Sequence, residues 1–197
     1  LSTGGEGGDN PITFSTPTTS SRGTAGTTLT VNAPANIADD VIYLAWVSDG
    51  DGDTATPPDG FTAVTNYNGL DIGVGPSGKF YLWSKPSAGS EPSTYTVNST
   101  VSERSAMIAF AVRNQLNVHA YGTTQSNTSG SSTTATAPAV TTTVTGAMRV
   151  SLIVSNQGVG PVSTLADHTE LGSVNQPSGG MISVQYKELP DATTDSS

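Results

Sequence analysis

The chain contains no cysteine in 197 residues, which excludes disulfide bridges, thiolate nucleophiles and cysteine-based zinc sites. Durability has to come from packing or assembly. Charged residues make up only 12% and aromatics 6%, and no segment sustains an apolar 3.6-residue period, so helix content is expected to be near zero. Seven Lys plus Arg against sixteen acidic residues leave a formal net charge of −9. A basic face that could release counterions from phosphates is missing, which argues against nucleic acid and against anionic membrane surfaces as partners. No apolar run reaches the roughly 18–20 residues of a spanning helix. No charged-then-apolar signal peptide opens the chain, and its first residue, Leu1, predicts a start that was cleaved, trimmed or left out. What is abundant instead is Thr, Ser, Gly and Pro, the residues of strands and turns.

Two stretches echo each other. Ala33-Pro34-Ala35, the apolar run Val41–Val47, Ser48-Asp49, Phe61–Val64 and Phe80–Lys85 are followed later, in the same order, by Ala137-Pro138-Ala139, Met148–Val154, Ser155-Asn156, His168–Leu171 and Ile182–Lys187. The first stretch continues into two more strand-like segments, Ser93–Val97 and Ala106–Val112, whereas the second runs out in Asp191–Ser197. The pattern predicts a duplicated β unit, with repeats over about 27–113 and 133–197 and a Ser/Thr-rich linker at Thr123–Thr136. The second repeat lacks its last strands, and an unfinished sheet exposes backbone donors and acceptors that need a partner.

Residues 1–10 form a Gly-rich polar arm, either a flexible leader or an extended arm laid on a neighbour. Order is expected from Pro11-Ile12-Thr13-Phe14 onward, with a strand at Thr27–Asn32. Val41–Val47 is apolar on both faces: Ile42, Leu44 and Trp46 point one way, and Val41, Tyr43, Ala45 and Val47 the other. A strand covered on both sides sits centrally. Phe80 and Leu82 likewise oppose Tyr81 and Trp83, and Ala106–Val112 reads as a third buried strand. Asp49–Gly60, dense in Gly, Asp and Pro, reads as loop. The fold class is all-β: one β-sandwich, jelly-roll or Ig-like, over residues 11–197, because the second repeat has too few strands to close a core alone.

Candidate chemistry is sparse. Gly73–Lys79 has the spacing of a phosphate-binding loop, but a strand follows it instead of a helix, and Phe80 stands where a hydroxyl would hold magnesium, so a β-turn is expected. Asp49, Asp51 and Asp53 alternate in a loop in the manner of calcium ligands, although Thr54 and Pro57-Pro58 depart from the EF-hand pattern, and a solvated acidic loop is the competing reading. His119 and His168 fall in different repeats with no ligand at metal spacing. Glu91 and Glu103 form a carboxylate pair of the type a glycosidase uses, with no separation readable from sequence. The glycosylation patterns Asn98-Ser99-Thr100 and Asn127-Thr128-Ser129 read as coincidence in so Thr/Ser-rich a chain. Tyr43, Trp46, Tyr81 and Trp83 read as core, and Tyr67, Tyr95 and Tyr121 as exposed contacts. No catalytic, cofactor-binding or metal residue is assigned, and no cofactor is expected.

A set of ordered motifs resembles a family of duplicated β-sandwich proteins from tailed phages and bacterial surfaces. These are Asp39-Asp40 before Val41–Val47, then Pro57-Pro58-Asp59-Gly60-Phe61, an aromatic strand ending in Lys85, and Glu91-Pro92-Ser93-Thr94-Tyr95-Thr96. Asp59 and Phe61 stand where that family usually has Ser and Trp, and the family's final apolar strand is absent after Asp191–Ser197. Either the chain supplied is incomplete, or a neighbouring subunit fills the gap by strand addition. The resemblance implies a non-enzymatic virion protein on the particle exterior, a capsid decoration or tail-appendage subunit. It further implies a homo-oligomer partnered by the major capsid or tail protein, docking through the arm 1–14 or the edge near residues 181–197. The alternative is a carbohydrate-binding adhesin module that holds host surface glycans.

Overall fold

The computed structural model describes residues 11–50, 52–72, 78–115, 139–141, 146–156, 163–189 and 194–195. The arm 1–10 and the linker Thr123–Thr136 lie outside these residues. The chain order is β1 (Thr13–Phe14), β2 (Thr18–Asn32), β3 (Val41–Ser48), β4 (Ala55–Thr56), β5 (Thr62–Asp71), β6 (Lys79–Pro86), β7 (Thr94–Arg113), β8 (Val140–Thr141), β9 (Ala147–Ser155), β10 (Thr169–Gln176), β11 (Gly180–Leu189) and β12 (Thr194–Asp195). No helix is present among the described residues.

The first sheet runs β1-β7-β3-β6-β5, with β2 and β4 also on β7. The 20-residue β7 organises it. Its Ser105–Val112 half pairs with β3, while β2 follows its other edge from Ala109 back to Thr94. Bends in that ladder, marked by register shifts around Gly26, let the Thr94–Val97 end fold back over the sheet. Leu29, Val31, Tyr95 and Val97 thereby close on Ile42, Leu44, Trp46, Tyr81 and Trp83 as one apolar cluster.

The other face of the same sheet is buried as well. A three-stranded sheet, β10-β11-β9, packs against it, so that Tyr43, Ala45, Val47, Phe80, Ile108 and Phe110 meet Val174, Ile182 and Val184. The molecule is an all-β sandwich whose second core draws on both halves of the chain, and β3 is covered on both faces, as the apolar residues on either side of Val41–Val47 predict.

Several local expectations change. Ser93–Val97 and Ala106–Val112 belong to one strand, because polar residues between them pair with β2 and β4. The stretch Asp49–Gly60 contains the short strand β4. The tail Asp191–Ser197 includes β12, which pairs with β8 as Thr194↔Thr141 and Asp195↔Val140.

The pairing order of the second sheet matches that of three strands of the first. Strand order β9-β11-β10 parallels β3-β6-β5. Val41 faces Pro86 as Met148 faces Glu188, and Thr62 faces Ser84 as Thr169 faces Tyr186. Even the turn before β5 returns before β10. Phe61 N donates to Pro58 O at 3.3 Å across left-handed Gly60, and His168 N donates to Leu165 O at 3.1 Å across left-handed Asp167.

Candidate functional site

The acidic loop does not gather its carboxylates on one point. Asp49 accepts the Arg104 backbone N–H at 3.0 Å and pairs with the Arg104 guanidinium at 3.3 Å. Asp53 is buried, and its Oδ1 accepts from Thr100 N at 3.1 Å and Val101 N at 3.3 Å. Each serves to dock the loop onto β7. Asp51 lies outside the described residues, and no cluster of three metal-ligating side chains occurs among the described ones.

The glycine-rich stretch ends at Gly78, whose carbonyl accepts from Ile72 N at 3.0 Å, and β6 follows directly. Lys79 is held by Asp71 at 2.6 Å, an ion pair across the β5–β6 ladder. Residues 73–77 lie outside the described residues. Beside this pair, a groove of about 550 Å³ is lined by Asp53, Thr54, Asn68, Lys79, Tyr81 and Trp83. Its two rings stack on each other at 5.2 Å and are 5% and 1% exposed. Little ring face is left for a sugar.

Tyr95, expected to be an exposed contact, is buried at 1% exposure. Its hydroxyl donates to Glu91 Oε2 at 2.9 Å, which also receives Lys85 Nζ at 2.7 Å, while Glu91 Oε1 accepts Ala88 N at 3.1 Å. Lys85 in turn lies 5.6 Å over the Phe61 ring. Burial pushes the Glu91 carboxyl up, but the hydrogen bonds from Lys85, Ala88 and Tyr95 and the Lys85 charge outweigh it, leaving it below the ordinary value. Burial, then the hydrogen bond and charge of Glu91, push the Tyr95 hydroxyl upward. Glu91 is thus a staple between β6 and β7, with Glu103 farther along β7. The cluster escaped sequence reading as a unit, although Lys85, Glu91 and Tyr95 all sit in the quoted motifs. Tyr67 is half-buried with its ring edge-on to Phe80, and Tyr43, Trp46, Tyr81 and Trp83 are core residues.

His168 is buried and accounted for by its own turn, with Nδ1 2.8 Å from Ala166 O and Nε2 3.3 Å from Ser151 Oγ. Alongside it, fully buried Gln185 accepts Leu165 N at 2.8 Å and donates to Ser183 Oγ at 3.2 Å. Asn98 is exposed on β7, and Thr100 is engaged by Asp53 and Thr54. His119, Tyr121 and Asn127 lie outside the described residues.

What remains distinctive is the sheet margins. β2, β5 and β10 all carry bulges where they lie outermost, and bulges keep an edge from pairing with another chain. β9 pairs with β11 from Ala147↔Leu189 to Ser155↔Met181 without a break. Among the described residues, no strand pairs with its other edge.

No family model, curated protein or solved structure matches the chain.

Proposed function

We propose that the chain is a non-enzymatic structural subunit of a phage virion, carried on the capsid exterior or on a tail appendage and working as a symmetric homo-oligomer against the major capsid or tail protein. One observation carries this reading. The described residues form an all-β sandwich in which β3, β6 and β7 are buried on both faces, a rigid strand framework of the kind a displayed structural subunit needs. The ordered motifs around Asp39-Asp40, Pro57–Phe61 and Glu91–Thr96, which resemble phage β-sandwich proteins, supply the particle. Engagement of Asp49, Asp53, Lys79, Glu91 and His168 in local bonds supports a scaffold over a reaction centre.

Antibodies raised against the chain should label the outside of intact particles purified from its source, and the polypeptide should recur in stoichiometric amount in their protein inventory. Particles without it would refute the proposal, and selective binding on a glycan array would favour the adhesin reading. Phe14 packs into the second core, with its ring 4.9 Å from Tyr186. Truncation of the arm should therefore stop at residue 10. That shortened chain should fold and lose docking to the particle.

A further inference from the structure

We infer that the chain holds a hard divalent cation of the calcium type at the inner end of the groove beside β6, ligated by Asp53 Oδ2 with the hydroxyls of Ser48 and Ser105 as neutral oxygen ligands. The inference goes beyond the virion reading and does not depend on it.

Ser48 and Ser105 are 0% exposed and Asp53 2%. Among the described residues, Ser48 Oγ, Ser105 Oγ and Asp53 Oδ2 are the buried side-chain polar atoms without a hydrogen-bond partner. Other buried polar side chains are engaged: Ser15 accepts Ala111 N at 2.8 Å, and Gln185 accepts Leu165 N at 2.8 Å. Folded interiors leave few polar atoms unanswered, and three in one region ask for a common partner.

Register brings the three to one end of one face. Ser48 faces Ser105 on β7 and Lys79 on β6, and cross-strand partners share a face of the sheet. Two residues along that face, Tyr81 donates its hydroxyl to Asp53 O at 3.1 Å, which holds Asp53 over the row. Arg22 faces Ser105 from β2. Burial lowers the Arg22 guanidinium, and the nearby Asp53 charge offsets part of that shift, so Asp53 also reaches toward the Ser105 end. Asp53, Lys79 and Tyr81 line the groove of about 550 Å³, which gives an ion a way in.

Chemistry selects the occupant. An ionised carboxylate oxygen only accepts, and the protein's own cations on this row bond elsewhere. Lys79 pairs with Asp71 at 2.6 Å, and Arg22 donates to the carbonyls of Gly26, Thr28 and Glu103. One carboxylate oxygen and two hydroxyls are hard ligands without sulfur or imidazole, a set that suits calcium with water completing its shell. Of the alternating aspartates in this loop, Asp49 is spent on Arg104, whereas Asp53 keeps one oxygen free. A single carboxylate places the affinity at the weak end, with Kd roughly 10⁻⁴–10⁻³ M. The net charge of −9 raises the local concentration of cations around the chain.

The test uses the full chain treated with EDTA and then titrated with calcium chloride, followed by calorimetry and thermal unfolding. Magnesium chloride at equal ionic strength controls for screening of the acidic chain. One calcium per chain is expected, with a rise in Tm of about 3 °C at about 10 mM calcium. Magnesium should give a smaller rise, because it demands a tighter octahedral shell. Asp53→Asn keeps an oxygen for the Thr100 and Val101 N–H groups and should abolish the calcium increment. Ser105→Ala removes only an unbonded hydroxyl, so it should fold like the parent and weaken calcium binding by about threefold or more. Terbium gives a readout independent of stability: its luminescence, sensitised by Tyr81 and Trp46, should appear on binding and be lost in Asp53→Asn. Equal rises in calcium and magnesium, binding that survives both substitutions, or the absence of a terbium signal would overturn the inference.

Discussion

Ile42, Leu44 and Trp46 on β3 hold the same register against β6 that Arg149, Ser151 and Ile153 on β9 hold against β11. Across from them, Tyr81 and Trp83 correspond to Ser183 and Gln185. Backbone order, register and capping turn agree between the two regions, while the exposed chemistry of the face has changed from hydrocarbon to hydrogen-bonding groups. The difference follows from what lies above. In the first sheet the β2 and β7 ends fold over the face and remove water from it, which favours apolar side chains there and keeps Lys85 only through its pairing with Glu91. Over the second, the Leu165–His168 turn supplies polar partners, which lets Gln185 stay buried and bonded and gives half-buried Ser151 a contact with His168. Register is a property of the backbone ladder, and the polarity of a face is a property of its cover.

Reciprocal changes should break that comparison unequally. Trp83→Gln removes a fully buried ring and leaves an amide without partners, and should cost at least about 4 kcal/mol in denaturant unfolding. Removing the charge of the staple by Glu91→Gln should cost about 3 kcal/mol, since partly buried Lys85 loses its counter-ion and only one neutral oxygen is left to accept from Lys85, Tyr95 and Ala88 N. The same group sets pH dependence. Glu91 titrates below the ordinary carboxylate value of 4.5, so its contribution is present above that value and is lost as pH falls through the lower folded-state value. Tyr95 is raised, so its contribution holds below the ordinary phenol value of 10.0 and is lost as pH rises through the higher folded-state value. Unfolding midpoints measured from pH 2 to 11 should show the acid loss and only the onset of the alkaline one in the native chain, and a reduced acid limb in Glu91→Gln.

Gln185→Leu should cost less than the tryptophan change, about 1–3 kcal/mol, because it orphans one buried N–H, that of Leu165. Gly180→Ala probes the joint between the sheets. At φ 115° a new Cβ would lie 2.7 Å from Val47 Cγ1 and 3.0 Å from Ser155 O, and a loss of about 1–3 kcal/mol is expected. Smallest of all, Asn66→Gly relieves a left-handed residue at φ 72° within the β5 bulge and should shift stability by only about 0.5 kcal/mol. Equal costs for Trp83→Gln and Gln185→Leu would mean that the two faces are not distinguished by their cover.

Much of the architecture was readable because it is local. Alternation placed Ile42, Leu44 and Trp46 opposite Tyr43, Ala45 and Val47, and the two cores divide them in that way. Other features left no local signal. Asn98–Arg104 is polar and irregular, so nothing in it marks the middle of a strand that joins two buried ends. Thr18–Gly26 is strand only because β7 lies beside it. Tyr95 looked exposed among polar neighbours, and its burial depends on Glu91 reaching its hydroxyl. For the candidate sites, residue types were visible but convergence was not: Asp49 and Asp53 bind different parts of β7.

The order of side chains along each strand determined by itself which residues share a face, since successive residues on an extended backbone point in opposite directions. It also determined, through the absence of cysteine and the scarcity of charge, that packing and pairing must carry the stability. Tertiary structure alone decided which face would be sealed, which polar group would find a partner and which edge would stay regular. Those outcomes rest on contacts between residues far apart in the chain, and no short stretch of sequence contains both sides of such a contact.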